Sequence, residues 1–310
     1  MSRWSFDLTA GPPPDAAVEI AARHVAAAAV ARRGGQTVIS AYAVEPLPEG
    51  AVAPSLTAQN IRDRALVGGA VARALDSIGR PKRVGLVVPD AVAKVSLVRF
   101  EQVPARAQDL TQLIRWQVRK AAPFPLEDAQ VSFTEAGVVS GGREFLVAVA
   151  KREVVAEYEG LIAAAGAHAG VVDLSTFNVV NAVLVSSDVP QASDWLLVNS
   201  ASIAILRGPQ IIFFRTRGAE TDGTLADLVH QTAMYYEDRL QGGGFARAVI
   251  CGSSSDEVRR SLEQRLSLAV ENVDIRVAAA LTDRITVAPE LLDALAPLAG
   301  LLLRDGEKAA

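Results

Sequence analysis

The residue types that most often carry chemistry are few and widely separated in this 310-residue chain. His24, His168 and His230 are the three histidines, and they lie too far apart to form a recognisable metal-ligand pattern. Cys251 is the single cysteine, which excludes an internal disulfide and suits a reducing cytosol. It follows a β-branched strand pattern, and nothing beside it predicts an activated thiolate, so we interpret it as a small buried hydrophobic residue. None of these four residues is predicted to carry function.

The segment 113–129, in contrast, has the residue types of a binding surface. An amphipathic helix runs directly into the sequence Pro-Phe-Pro-Leu. Pro123 ends the helix, and Pro125 fixes a second backbone angle. Phe124 and Leu126 are therefore held in defined directions and have little entropy left to lose on docking. The alternative is that Phe124 fills the core of the protein itself.

The composition excludes several classes of protein. Half of the residues are hydrophobic and 21% are charged, so the chain can bury a substantial core. The formal net charge is −4, and Lys and Arg are spread along the whole sequence, so binding to nucleic acid is not expected. Neither a signal peptide nor an uncharged apolar span of about 20 residues is present. These features predict a cytoplasmic protein that does not insert into a membrane.

Strand and helix patterns alternate along the chain, after an extended lead-in at residues 1–15. The pattern predicts a first domain at 16–190, with a small αβ subdomain inserted at about 93–140, and a second domain at 191–310. Each half opens with a hairpin, which suggests two related α/β halves around a cleft. The first predicted helix is Thr57–Ile78, with Thr57 as its candidate cap.

The order and spacing of several segments resemble the PilM family, the cytoplasmic actin-like proteins of type IV pilus assembly. That family shares its fold with FtsA and with the cytoplasmic part of type II secretion GspL proteins. The segments that carry the resemblance are Gln36–Gly50, Val84–Pro89, Val95–Pro104, Trp116–Ala129, Phe145–Tyr158, Val172–Asn181, Ala233–Tyr236, Val249–Gly252 and Leu298–Arg304.

The resemblance implies an α/β, actin-like (RNase H-like) fold of two domains. The first domain would be subdomain 1A with an inserted 1C-like subdomain. The second would be 2A-like and would lack most of subdomain 2B. In the family, 2B lies between the strand that ends near Arg215 and the helix that ends at Met234–Tyr236, and here only Thr216–Ala226 lies in that interval. The C-terminal helix would pack back on the first domain.

The resemblance also implies a nucleotide cleft, but the residues at its phosphate hairpins depart from the family pattern. Ala17–Arg23 has alanines where the family has glycines, and a Cβ there restricts the backbone and crowds a phosphate. Glu19 could hold a water molecule or pair with Arg23 at the rim, and we favour the pair. The second hairpin has Asn199 where the family has an acid, and an Asn cannot serve as a general base. The residues of this degenerate cleft that could contact a nucleotide are Glu19, Asn199, Ser200, Gly252, Ser253 and Ser254.

Together with the resemblance, these departures predict a non-catalytic scaffold with no cofactor. The resemblance implies that this scaffold belongs to the inner-membrane platform of a type IV pilus or related secretion system and is peripheral to the membrane through its partners. The resemblance implies that the partner is a PilN-like membrane protein whose N-terminal cytoplasmic peptide docks near the inserted subdomain. Pilus motor ATPases are further partners that the resemblance implies. The residues expected at the peptide groove are Phe100, Trp116, Pro123, Phe124 and Leu126.

Two alternatives stay open at this point. Each aromatic side chain of the groove, Trp116 above all, could belong to the ordinary core. The chain could also bind ATP or hydrolyse it slowly, with Glu19 and Asp173 as candidate acids and bound Mg²⁺, an activity that fold analogy alone supports. Asp173 is equally explained as a favourable helix-start residue.

Overall fold

The structure, a computed structural model, describes residues 14–33, 36–139, 141–186, 193–217, 224–252, 256–276 and 288–303. The chain divides into two compact units. The first unit takes most of the chain before residue 175, and the second takes Ser175–Ala310 together with the segment Val30–Ser40.

The strands of the described residues are β1 (Ala16–Ile20), β2 (His24–Arg33), β3 (Gln36–Pro46), β4 (Arg83–Val88), β5 (Ala93–Phe100), β6 (Ala129–Val139), β7 (Gly142–Lys151), β8 (His168–Leu174), β9 (Asp194–Asn199), β10 (Ser202–Arg207), β11 (Gln210–Thr216), β12 (Arg247–Cys251) and β13 (Val270–Asn272). Their helices are α1 (Arg64–Ser77), α2 (Ala107–Val118), α3 (Arg152–Ala164), α4 (Ser175–Ser186), α5 (Leu225–Leu240), α6 (Asp256–Leu266) and α7 (Pro289–Leu303).

The first sheet has the strand order β3-β2-β1-β4-β8. Strand β1 pairs antiparallel with β2 and parallel with β4, and β4 pairs parallel with β8. All residues of β4 after Arg83 are buried. A continuous apolar run of this kind is typical of a parallel strand that is covered on both faces.

Helix α1 begins later than its hydrophobic spacing predicts. It starts at Arg64 and not at Thr57, and its N-cap is Asp63, whose carboxylate accepts a hydrogen bond from a first-turn amide (2.9 Å). The preceding residues are held in a loop by the fully buried Asn60, which accepts a hydrogen bond from the Tyr158 hydroxyl (3.0 Å). These tertiary contacts outweigh the local helical preference of the segment before Asp63.

The inserted subdomain is a three-stranded antiparallel sheet of order β5-β7-β6, with helix α2 packed on one of its faces. The helix contributes Ile114 and Val118 to a shared apolar core. The buried partners of these two residues are Val98, Phe100, Leu126, Ala129, Phe145, Val147 and Val149.

The second unit contains a five-stranded sheet of order β11-β10-β9-β12-β13. Strands β9, β10 and β11 are antiparallel neighbours, whereas β12 is parallel to both β9 and β13. Helix α5 covers one face of this sheet. It begins with a reciprocal capping box between Thr224 and Asp227 and ends at Gln241, whose φ of 53° is left-handed.

Helix α7 packs against α4 at very short range. A Cβ added to Gly300 would lie 1.7 Å from the backbone oxygen of Asn178, so only glycine fits at this crossing. Pro297 lies inside α7 and has no amide proton to donate to the carbonyl of Asp293, four residues earlier. The Cys251 thiol donates to that carbonyl instead, at an Sγ to O distance of 3.6 Å. Cys251 is buried, as its sequence context predicts.

A polar network joins β9, β10 and α5. The guanidinium of Arg207 donates to both carboxylate oxygens of Asp194 (2.8 Å each), and the Tyr236 hydroxyl donates to one of them (2.6 Å). The Arg207 hydrogen bonds hold the pKa of Asp194 below its ordinary value. Burial, with the Asp194 hydrogen bond, raises the pKa of Tyr236 to about 12. The Tyr236 ring lies directly over Gly242, where an added Cβ would come within 1.9 Å of it.

Candidate functional site

The first predicted phosphate hairpin is formed by β1 and β2, and its acidic residue, Glu19, is buried within the protein. Glu19 is buried, and its carboxylate lies 3.4 Å from Nε2 of His24. The prediction that Glu19 is a rim charge paired with Arg23 is therefore wrong. Arg23 is exposed and pairs with Glu49 instead, at 3.5 Å. Alternation along β2 places His24 on the same face of the hairpin as Glu19, whereas Arg23 lies in the turn before the strand.

Glu19 and Asp173 lie on one row across the first sheet. In the parallel ladders, Glu19 is level with Val87 of β4, and Val87 is level with Asp173 of β8. Side chains that are level in adjacent parallel strands point to the same face, so both carboxylates do so, with Cα atoms roughly 10 Å apart. Asp173 is fully buried and accepts a hydrogen bond from the Leu174 amide (2.8 Å).

The second predicted phosphate hairpin uses its polar groups internally. Strands β9 and β10 are joined by a two-residue turn at Ser200, whose φ is 51°. The Ser200 amide donates to the carbonyl of Cys251 (2.9 Å). The side-chain amide of Asn199 donates to the hydroxyls of Ser175 (3.2 Å) and Thr176 (3.0 Å). These donors are therefore already engaged within the protein.

Gly252 fits closely beneath this turn. Its φ is +71°, and an added Cβ would lie 2.3 Å from the Ser200 hydroxyl and 3.2 Å from Oδ1 of Asn199. Glycine is thus required here for both backbone and packing reasons. Asn199, Ser200 and Gly252 are brought together, whereas Ser253 and Ser254 lie outside the described residues.

The Pro-Phe-Pro-Leu elbow in the inserted subdomain is fastened by three basic side chains, one from each neighbouring element. Lys94 of β5 donates to the carbonyl of Ala121 (2.7 Å), and Arg115 of α2 donates to the carbonyl of Leu126 (2.8 Å). Arg152 of α3 donates to the carbonyl that follows Leu126 (3.1 Å). The elbow therefore has a fixed backbone shape, supported by charge-assisted hydrogen bonds.

The five residues predicted for a peptide groove divide into surface and core. Trp116 is 69% exposed on the side of α2 that faces away from the core, and Pro123 is exposed as well. Phe124 is half-buried and packs against the core, and the rest of its surface is accessible. Phe100 and Leu126 are buried core residues; the Phe100 ring centroid lies 6.0 Å from that of Phe145. The last two residues can support a groove but offer it little surface.

The two edge strands of this small sheet differ in regularity. All eight residues of β5 pair one-to-one with β7, from Ala93 to Phe100. On the other edge, β6 has a bulge between Glu135 and Gly137. Bulges protect edges against pairing with a further strand. Among the described residues, β5 has a strand neighbour on one side only, so it offers a regular edge.

The three cations that fasten the elbow were not anticipated from the sequence. Lys94 and Arg152 are separated from their carbonyl partners by 27 and 25 residues along the chain. Arg115 is closer, and a basic residue in the last turn of a helix was a usable signal.

Two properties of the described residues bear on the class of site. No helix among them is long and apolar enough to cross a membrane. Within the same residues, no group of three or more His, Cys, Asp or Glu side chains could hold a metal ion.

Comparison with known proteins identifies the family. The sequence profile described as "Type IV pilus assembly protein PilM" matches residues 17–238, which is more than half of the chain. The chain belongs to the PilM family.

Solved structures show the fold of this PilM-family protein. It is similar to a chain of the "PilM-PilN type IV pilus biogenesis complex", with a TM-score of 0.75 and 16% identity over 96% of this chain and 99% of the other. It is also similar to a Bacteroides thetaiotaomicron protein described as having an actin-like ATPase fold and unknown function. That match has a TM-score of 0.51 and 7% identity over 86% of this chain and 95% of the other. The predicted actin-like fold is confirmed, and its second half is short because only residues 217–224 separate β11 from α5.

Proposed function

We propose that this PilM-family protein is a non-catalytic cytoplasmic scaffold of a type IV pilus or related secretion platform at the inner membrane. Its inserted subdomain would bind the N-terminal cytoplasmic peptide of a PilN-like membrane protein, and this contact would hold the scaffold at the membrane. The similar chain from the PilM-PilN complex supports the choice of partner. The observation that carries the proposal is the regular edge of β5 beside a fastened elbow.

An extended peptide would add a strand to the β5 edge, taking main-chain hydrogen bonds along it. Lys94 ties the segment that follows α2 to the start of β5. Trp116 lies five residues before the tied carbonyl of Ala121, so it is at the same end of the subdomain. Trp116, Pro123 and Phe124 would then provide the apolar contacts of the peptide. Phe100 and Leu126 would contribute indirectly, because they pack in the core of the subdomain and support the conformation of the elbow.

The test is a binding titration with a synthetic peptide that has the N-terminal cytoplasmic sequence of a PilN-like protein. We expect Trp116→Ala to weaken binding by about 2 kcal/mol, roughly 30-fold, because exposed tryptophans commonly dominate interfaces. Phe124→Ala should also weaken binding. Val138→Ala is the matched control, since Val138 is 78% exposed on β6 of the same subdomain. If the folded Trp116 and Phe124 variants bind the peptide as well as the control does, the groove assignment is wrong.

The lack of catalysis is proposed from the second hairpin. A phosphate-binding hairpin needs backbone amides directed at the ligand. In this chain, the Ser200 amide and the Asn199 side chain donate to protein groups, and Gly252 packs against both residues. We therefore expect no saturable Mg-ATP binding at millimolar concentration by calorimetry, and no rise in unfolding temperature.

A nucleotide-dependent switch or slow ATPase is the second candidate function. The placement of Glu19 and Asp173 on one face of the sheet favours it. If Mg-ATP binds saturably, and Glu19→Gln and Asp173→Asn each abolish turnover while leaving the fold intact, this candidate replaces the non-catalytic one. Peptide binding at the inserted subdomain would be unaffected by that outcome.

A further inference from the structure

Strand β11 is an edge strand in the second unit, and half of it is regular. It occupies the end of the order β11-β10-β9-β12-β13, so the described residues place a strand on one side of it only. The ladder with β10 is irregular near Ile211, but Phe213–Thr216 pair one-to-one with Ser202–Ile205. This second half presents a short, regular backbone edge to a further strand.

An apolar surface beside this edge, called the groove below, is formed by Phe213 and residues of helix α5. The ring of Phe213 lies against the ring of Tyr235 on helix α5, with centroids 5.3 Å apart. Tyr235 is 45% exposed and the adjacent Met234 is 51% exposed, whereas Phe213 is half-buried. An edge strand with an apolar helix alongside is the arrangement in which domains receive an extended peptide as an added strand.

Arg215 adds a charge requirement to the same groove. It lies two residues after Phe213, so the two side chains point to the same face of the sheet. Arg215 is exposed, and its guanidinium has no hydrogen-bond or ion-pair partner in the described part of the chain. An occupant of the groove would therefore gain from a carboxylate at this position.

We propose that the β11 edge and the groove beside α5 form a second peptide-binding site, independent of the inserted subdomain. The occupant is an extended segment of a partner protein with an apolar side chain level with Phe213. A Glu or Asp stands two residues away, level with Arg215. A second copy of this chain fits less well, because β11 has the sequence Gln-Ile-Ile-Phe-Phe-Arg-Thr and supplies no acid to Arg215. The regular edge limits main-chain pairing to about four residues.

The probe is a fluorescein-labelled peptide, Thr-Val-Thr-Leu-Thr-Glu-Thr, titrated with the full chain and followed by fluorescence anisotropy. A second peptide carries Lys in place of Glu, and a third carries Pro in place of the central Leu, which removes an amide donor from the strand. The protein variants are Arg215→Glu and Tyr235→Ala. Arg62→Glu is the matched control, since Arg62 is exposed, has no side-chain partner among the described residues and lies in the first unit.

We expect the Glu peptide to bind and the Pro peptide not to bind. Arg215→Glu should lower the affinity for the Glu peptide by about fivefold, which is the upper range for one exposed ion pair, and should raise the affinity for the Lys peptide. Tyr235→Ala should lower the affinity for both the Glu and the Lys peptide while leaving the unfolding temperature of the protein nearly unchanged. The proposal is overturned if the Glu peptide does not bind, or if Arg215→Glu and Arg62→Glu change its affinity equally. Neither result bears on the binding of the PilN-like peptide to the first unit, which is tested separately by titrating the Trp116 and Phe124 variants.

Discussion

Replacing Arg115 by Met tests whether the shape of the elbow, and not only its side chains, determines peptide binding. The substitution keeps an apolar stem of similar length but removes the guanidinium that donates to the Leu126 carbonyl at 2.8 Å. Hydrogen bonds from charged donors contribute about 1.5–3 kcal/mol. Arg115 is only half-buried, so we expect the loss to fall at the lower end of that range.

The consequence for binding follows from the cost of restoring the elbow. If the free variant occupies the original elbow conformation only part of the time, the apparent affinity for the peptide is reduced by that fraction, and a fraction of about one tenth costs about 1.4 kcal/mol. A loss of about 1.4 kcal/mol corresponds to about tenfold weaker binding. Phe124 and Leu126 are unchanged in this variant, so the effect would report on backbone order.

Hydrogen exchange of residues 121–128 and the peptide titration are the two measurements. Arg119→Met is the matched control: Arg119 is exposed, lies one turn further along the chain and has no side-chain partner among the described residues. We expect faster exchange and about tenfold weaker binding for Arg115→Met only. Identical exchange and affinity in the two variants would refute the reasoning.

Two further predictions concern the second unit. Because the folded-state pKa of Asp194 is depressed by Arg207, its contribution to stability is present above the ordinary carboxyl pKa and is lost as the pH falls through the folded value. Urea unfolding should therefore show Asp194→Asn to be less stable than the unmodified protein at neutral pH, with a difference that shrinks below about pH 4. Gly242→Ala should lower the free energy of unfolding by about 1–3 kcal/mol, because the new methyl group would overlap the Tyr236 ring. An unchanged urea midpoint would contradict that packing.

Much of the fold could be predicted from local patterns. The alternation of apolar residues predicts the hairpins, and the apolar run after Arg83 predicts the buried strand β4. Pro123 predicts a helix end at about Ala121 or Ala122, and α2 ends slightly earlier, at Val118. Where the local pattern and a distant side chain compete, prediction fails: the buried Asn60 and Tyr158 hold a loop where the spacing predicts the first turns of α1.

The candidate site was less predictable because it depends on contacts between distant residues. The partner of Glu19 is decided by which side chains share a face of the hairpin, and sequence favoured the wrong neighbour. Exposure of Trp116 follows from its position on α2 opposite Ile114, but the residue type alone is equally common in cores. The Lys94 and Arg152 contacts join elements that are adjacent only after folding.

The buried hydrogen bond from Cys251 to the Asp293 carbonyl makes this thiol a built-in probe of unfolding. Cys251 is the single cysteine of the chain and is buried, so it should react with a thiol reagent only when the second unit opens. Its labelling rate would then measure that opening directly. The same protection lets a new cysteine on the exposed face of α2 or α5 be labelled selectively in the folded protein, without first removing the native one.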